Sequence, residues 1–230
     1  MKAEKPVAHP DGMRTRELFV PYNSIAWEFV SKFEWPWEAL PAIKSYIEEL
    51  GAGLNSSNYR KRSGNVWIHK AAIVAPSASI GNNVIICEGA QVRHCAYIRD
   101  SAIVGRGAVV GNSTELKNVI LFDEVQAPHY NYIGDSILGF RSHTGAGAIT
   151  SNLKSDHSFI SISCGDTRID TQLKKFGAIL GDNVEVGCNS VLNPGSIIGS
   201  GSTIYPLSMV RGFVPSGSIY KKQGEIAKKY

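Results

Sequence analysis

The dominant pattern in the chain is an apolar beat of period six. Aliphatic residues stand at Ile68, Val74, Ile80, Ile86, Val92, Ile98, Val104, Val110 and Leu116, and the beat returns at Leu180, Val186, Leu192, Ile198, Ile204 and Val210. Two positions before each stands a small or β-branched residue, among them Ala72, Ala78, Val84, Ala90, Ala96, Ala102, Ala108 and later Ala178, Ser190, Ser196 and Ser202. A helix repeats every 3.6 residues and a strand every 2, so neither sustains this spacing. A hexapeptide repeat does, and it predicts a parallel β-helix in which each hexapeptide is one short strand plus one corner. Three hexapeptides make a triangular coil, so residues about 18 apart stack, as Ile68 on Ile86 on Val104. Corner glycines such as Gly81, Gly105, Gly111, Gly181 and Gly199, with their Asn neighbours, are expected to supply positive φ.

Residues 1–65 lack the beat and are expected to form an N-terminal tail and helical cap. Met1 to Arg16 is polar and expected to be loose. Ile25–Val30 and Trp37–Leu50 carry helical spacing, with Ala39, Leu40, Ile43, Tyr46, Ile47 and Leu50 on one side and Gly51 and Gly53 as stop signals. The density of aromatic residues here implies packing, either as a cover on the open end of the solenoid or as a subunit contact. The β-helix is expected over 66–214, with an insertion at 151–177 in which Phe159–Ser163 alternates like a strand. The beat slips between Phe122 and Ile133, which predicts a projecting loop around His129. Residues 215–230 are expected to form a lysine-rich helix or tail.

Composition narrows the function class. The chain has 230 residues, is 43% hydrophobic and 19% charged, contains 23 glycines and carries a net charge of +4. That mild charge suits an anionic small molecule and gives no clustered basic face for nucleic acid. The four cysteines, Cys87, Cys95, Cys164 and Cys188, show neither CxxC pairing nor metal-ligand spacing and are expected to be reduced small residues. No membrane-length apolar run or signal-peptide pattern is present, so the expected location is cytoplasmic, with no membrane partner.

On residue types alone, Pro128-His129-Tyr130-Asn131-Tyr132 offers a general base, and Arg99 and Lys117, one coil apart, offer an anion clamp. The plainer reading stands beside it: a histidine that bonds a corner, and two solvated cations. Metal-dependent hydration would need three ligand histidines, for which His69, His94, His129, His143 and His157 are candidates whose spacing matches no known pattern; no metal is expected.

The strings Glu115-Leu116-Lys117-Asn118, Pro128 to Gly139, Gly145 to Leu153 and Lys174 to Val184 carry a resemblance. Residues from Arg99 to about Pro215 resemble the left-handed β-helix domain of sugar-1-phosphate acetyltransferases. These include the acetyltransferase half of the bacterial uridylyltransferase/acetyltransferase and the tail of archaeal-type sugar-1-phosphate nucleotidylyltransferases. The resemblance implies an all-β, left-handed parallel β-helix with an N-terminal helical cap, assembled as a homotrimer with sites between subunits. It implies His129 as the general base, Arg99 and Lys117 as the phosphate grip, and Tyr132, His143 and Asn152 at sugar-contacting positions. Ala146, Cys188, Pro206 and Lys221 fall on the side of the acetyl-CoA cosubstrate. The implied reaction is acetyl, or other acyl, transfer to the amine of an amino-sugar phosphate or nucleotide sugar.

Three positions depart from the pattern: His143 where an Asn orients the amine, Leu153 where a Tyr follows Asn152, and Ser158 where a lysine is expected. No Gly-rich phosphate loop with Arg stands upstream, so nucleotidyl transfer is not expected. The departures keep a second expectation alive, a non-catalytic trimeric partner of nucleotide-sugar enzymes with a retained sugar-phosphate pocket. The sequence leaves the sugar and the acyl group open.

Overall fold

The structure is a computed structural model that describes residues 11–21, 24–164, 167–222 and 224–229. The expectation of a loose segment over residues 1–10 lies outside them. The six-beat forms a left-handed parallel β-helix with three faces. Ile68 pairs with Ile86 and Ile86 with Val104, as the spacing requires.

The inward positions follow the beat around the triangle. Ile80, Ile98, Leu116 and Ile133 line the first face, Ile86, Val104, Leu121 and Leu138 the second, and Val92, Val110 and Ala127 the third; nearly all are inaccessible. The faces differ in what points outward. The second face presents an aliphatic column, Ile85, Ile103, Ile120, Ile137, Ile179 and Ile197, and all of it is buried.

The chain itself covers that column. Helix α1 spans Thr15–Leu18, α2 Trp27–Val30, and a 3-10 helix over Pro36–Ala42 leads into α3 at Ile43–Ala52. The 3-10 segment and α3 pack on the strands carrying Ile85, Ile103, Ile120 and Ile137. The helical segment is therefore spread along one face rather than over the open end of the coil. Below it, strands Ile160–Cys164 and Thr167–Leu173 form the antiparallel hairpin of the 151–177 insertion, which packs on the strand Phe213–Val214. Phe176, fully buried, stacks near Trp37 at 6.2 Å and joins the two covers.

Residues 11–20 are latched rather than loose. Met13, Leu18 and Phe19 are buried, and Phe19 lies 5.0 Å from Phe122. Leu18 O accepts from Asp182 N at 3.0 Å and from Ser200 Oγ at 2.7 Å. At the other terminus Ser218–Lys222 and Glu225–Lys228 pair as antiparallel strands, not a helix. Ile219 and Tyr220 continue the ladder beneath Thr203 and Ile204, and ladder pairing outweighs the helical tendency of the lysines.

The slip makes no projecting loop. Ile98 pairs with Leu116, but Asp100 pairs with Lys117, so the corner after Leu116 is one residue shorter and Arg99 is left over. A bulge absorbs such a mismatch while the strands on either side keep their pairing. Within the corners the expected positive φ falls on Asn83, Gly107, Asn183 and Gly201, while the first glycine of a corner has another task. A Cβ on Gly111 would lie 1.6 Å from Pro128 O, so this glycine permits close stacking of coils. Positive φ in that corner is taken by Ser113.

The covered face makes a direct stability prediction. Ile103→Ala should cost about 2–5 kcal/mol although its side chain points away from the solenoid interior. Ile73→Ala, on the uncovered third face and 66% exposed, should stay within about 0.5 kcal/mol. Urea denaturation of the two variants checks both; equal midpoints would show that the second face is not sealed.

Candidate active site

Two edges of the solenoid collect the chemistry, and the first face lies between them. The edge joining the first and second faces contains the short corners after Leu116 and Ile133, and it is where the insertion leaves and returns. Asp135 is its centre, 3% exposed. Its carboxylate accepts from Lys117 Nζ at 2.9 and 3.1 Å, from Asn118 Nδ2 at 3.0 Å, and from Asn152 Nδ2. Asn118 also donates to Leu40 O at 3.2 Å, which ties the cluster to the helical cover. Asn152 Nδ2 reaches Tyr132 Oη at 3.3 Å. Burial, reinforced by the Asp135 and Glu115 charges, pushes the Tyr132 hydroxyl above its ordinary pKa, so it stays protonated.

Stacking alone brings these residues together. Tyr132 lies in register between Glu115 and Ile149, and Gly134 pairs with Lys117. Arg99, the bulged residue, bonds Glu115 at 3.3 Å. Four of the five residues expected to hold an acceptor, Arg99, Lys117, Tyr132 and Asn152, thus share one neighbourhood, and His143 is the exception. Both cations already have carboxylate partners within the chain.

Lys175 was passed over in the sequence. Reading Ser158 as the replacement for an expected lysine treats the insertion as a continuous corner. The hairpin instead leaves the solenoid after Asn152 and returns beside it: Phe176 N donates to Asn152 O at 3.0 Å, and Gly177 N to Asp135 O at 2.8 Å. Exposed Lys175 therefore arrives next to Asn152, while Ser158 is held out on the hairpin by Asp156 and Lys154. Below Asn152 a cleft of about 490 Å³ is bordered by Lys154, Arg168 and Arg211. No sequence motif flagged the two arginines.

The second edge joins the third and first faces. His129 ends the strand Gln126–His129, in register with Asn112. Its position is set by Asn131, 2% exposed, whose Oδ1 accepts from His129 N at 3.3 Å and whose Nδ2 donates to Gly145 O at 2.8 Å. The His129 ring is exposed, and among the described residues no hydrogen bond holds it.

Ala146, Cys188 and Pro206 follow His129 down this edge: His129 O accepts from Gly147 N at 3.1 Å, Ala146 O from Asn189 N at 2.8 Å, and Cys188 O from Leu207 N at 2.9 Å. Lys221 stands at the bottom of the same edge and pairs with Glu225 at 3.5 Å. His143 is not among the acceptor residues. It lies on the third face, its Nδ1 2.8 Å from Glu185 Oε2. Among the described residues no three of His, Cys, Asp and Glu converge as a metal site, and the candidate histidines are scattered over different edges and the insertion.

Comparison with known proteins follows the same outline. Residues 177–212 match the family model described as bacterial transferase hexapeptide (six repeats). The "Bifunctional protein GlmU" of Methanococcus vannielii is 34% identical over 197 residues, covering 84% of this chain and 47% of that protein. The "Bifunctional sugar-1-phosphate nucleotidylyltransferase/acetyltransferase" of Sulfurisphaera tokodaii is 29% identical over 189 residues, covering 81% and 47%. The chain thus spans about half the length of the curated relatives it matches. Among solved structures, PerB from Caulobacter crescentus with CoA and GDP-perosamine aligns at 20% identity and TM-score 0.33, covering 67% of this chain and 53% of that one. A putative acetyltransferase from Bacillus cereus aligns at 16% and 0.42, covering 74% and 80%.

The buried carboxylate at the centre of the first edge can be tested. Asp135→Ala strands Lys117 beside a desolvated cavity and should cost about 3–5 kcal/mol. Adding Lys117→Met should recover part of that loss, because the uncompensated charge goes with it. Thermal melts of the single and double variants check the order; a double variant less stable than Asp135→Ala would contradict it.

Proposed function

We propose that this chain, which carries a hexapeptide-repeat domain of the bacterial transferase type, transfers an acetyl group from acetyl-CoA to the amine of an amino-sugar phosphate or nucleotide sugar. The observation that carries the reading is the segregation of roles onto two edges. Lys117, Tyr132, Asn152 and Lys175 gather on one edge; His129, Ala146, Cys188 and Pro206 line the other. A single subunit cannot present both groups to one small ligand, because the first face separates them. In a closed ring of three copies, the His129 edge of one subunit meets the Lys117 edge of its neighbour. The first face supports such packing: Ile149, Val191 and Met209 stack in register as an exposed apolar row on it, with Tyr132, Glu115 and Tyr97 continuing the row above.

In this reading the phosphate of the acceptor is held on the Lys117 edge, where Lys175 adds positive charge and the adjoining cleft brings Lys154, Arg168 and Arg211 against a single carboxylate, Asp156. His129 takes a proton from the acceptor amine as its nitrogen attacks the thioester carbonyl. The C–N bond forms, the C–S bond breaks, and CoA leaves as its thiol. Ala146 is small enough to leave room for the acetyl group, and the exposed ring of His129 can be oriented by a group from the neighbouring subunit.

One observation favours a second reading. Arg99 is paired with Glu115 and Lys117 with Asp135, so the expected phosphate grip is neutralised within the chain. A non-catalytic partner of nucleotide-sugar enzymes would keep the fold and the pocket without turnover.

Thiol release from acetyl-CoA against a panel of amino-sugar phosphates separates the two. The enzyme reading expects release with at least one acceptor, and a fall of at least about a hundredfold in His129→Ala with melting behaviour nearly unchanged. A wild-type protein that binds sugar phosphates but releases no thiol would establish the partner reading. Assembly is checked independently: light scattering at micromolar concentration should return three times the monomer mass, and a monomer would remove the shared site.

A further inference from the structure

Two coils above His129, on the same edge, three polar side chains form a chain of hydrogen bonds that the proposed reaction does not use. Ser77 Oγ lies 2.7 Å from His94 Nδ1, and His94 Nε2 lies 3.2 Å from Cys95 Sγ. Ser77 Oγ also accepts from Cys95 N at 3.2 Å, and His94 O accepts from Asn112 Nδ2 at 3.0 Å. The solenoid sets this up: Ser77 belongs to one corner, His94 and Cys95 to the corner stacked beneath it. Cys95 is exposed and adopts φ 55°, which turns the thiol back toward the histidine ring.

From this arrangement we infer that Cys95 is a nucleophilic thiol, activated by His94 and Ser77, that forms mixed disulfides with small disulfide molecules. The roles follow from the contacts. With Nδ1–H donating to Ser77 Oγ, Nε2 is free to take the thiol proton, and the imidazolium then donates on both sides. Base and orienter stand in the order that nucleophilic thiols require.

The chemistry of the corner selects the electrophile. Acyl transfer needs free N–H donors for an oxyanion. Here Cys95 N is bound to Ser77, Ala96 N to Arg93 O, and Tyr97 N to Thr114 O. Exchange at sulfur needs no oxyanion site. The Cys95 thiolate attacks one sulfur of the disulfide, a new S–S bond forms as the old one breaks, and the departing thiolate takes the proton held at Nε2. The small disulfide is the only oxidant required.

The other cysteines act as internal standards. Cys87 is buried, and burial pushes its thiol up to about 12. Burial raises Cys164 as well. Cys188 is exposed on the same edge, and among the described residues its sulfur has no hydrogen-bond partner, so it differs from Cys95 in having no neighbouring base.

Oxidised glutathione is the probe, and peptide mass spectrometry follows adduct formation at each cysteine with time. Cys95 should react at least about tenfold faster than Cys188, as expected when a neighbouring histidine takes the thiol proton during the attack. His94→Gln should bring Cys95 down to the Cys188 rate while Cys188 itself is unchanged, and Ser77→Ala should give an intermediate rate. Equal rates at Cys95 and Cys188 in the wild-type protein would overturn the inference without any variant. An unchanged Cys95 rate in His94→Gln, with the melting temperature intact, would overturn it as well.

Discussion

Every other feature depends on the in-register stacking of one coil on the next. A parallel ladder repeats about every 4.8 Å, so each corner must return the chain to the same place within a few residues. That requirement forces small residues two positions before each inward aliphatic. It also places Gly111 where a coil backbone passes almost in contact with its neighbour. Departures from eighteen residues per coil are tolerated only at corners, where Arg99 absorbs one residue as a bulge and the 151–177 insertion escapes as a complete hairpin. The ladder is never interrupted; irregularity is pushed to the edges.

Clusters of polar and charged side chains are therefore an edge property. Strands on the flat faces offer side chains at fixed spacing and in a single direction. Corners offer backbone turns, positive φ and side chains that fan outward. The Lys117–Asp135–Asn152 cluster, the His129 row and the Ser77–His94–Cys95 relay all occupy corners. The second face was lost to such use because the chain covers it. A buried column from Ile85 to Ile197 needs the helices and the hairpin against it, and each cover brings residues to an edge: Leu40 O to Asn118, and Lys175 to Asn152.

The charge pairing on the Lys117 edge shapes the choice between catalyst and partner. Asp135 is nearly inaccessible and accepts from three side chains, so it holds Lys117 and Asn152 in place whatever the ligand. A buried pair of this kind contributes little net stability but fixes geometry, and removing one member leaves the other uncompensated. In the proposed reading, the positive charge that meets a phosphate comes from Lys175 on the returning limb and from Arg168 and Arg211 of the adjoining cleft.

The sequence by itself determined the coil. Period six, small residues at the second position before each aliphatic, and polar corners admit a parallel β-helix and little else, and the stacking of Ile68, Ile86 and Val104 follows from spacing alone. Every third hexapeptide from Ile85 to Ile197 carries an aliphatic one position before the beat, but exposed Ile73 and Val191 do the same, so the covered face was not marked by the sequence pattern. The grouping of Arg99, Lys117, Tyr132 and Asn152 came from the resemblance and is reproduced by register. Tertiary structure decided the rest. Whether a one-residue slip becomes a loop or a bulge depends on the strands that flank it, and no local pattern records that balance. Whether Lys175 or Ser158 stands beside Asn152 depends on where the hairpin closes. The partners of Lys117 and His143, and the Ser77 that bonds His94, lie about one coil or more away in the chain, and hydrogen bonds of that kind exist only once the coils have stacked.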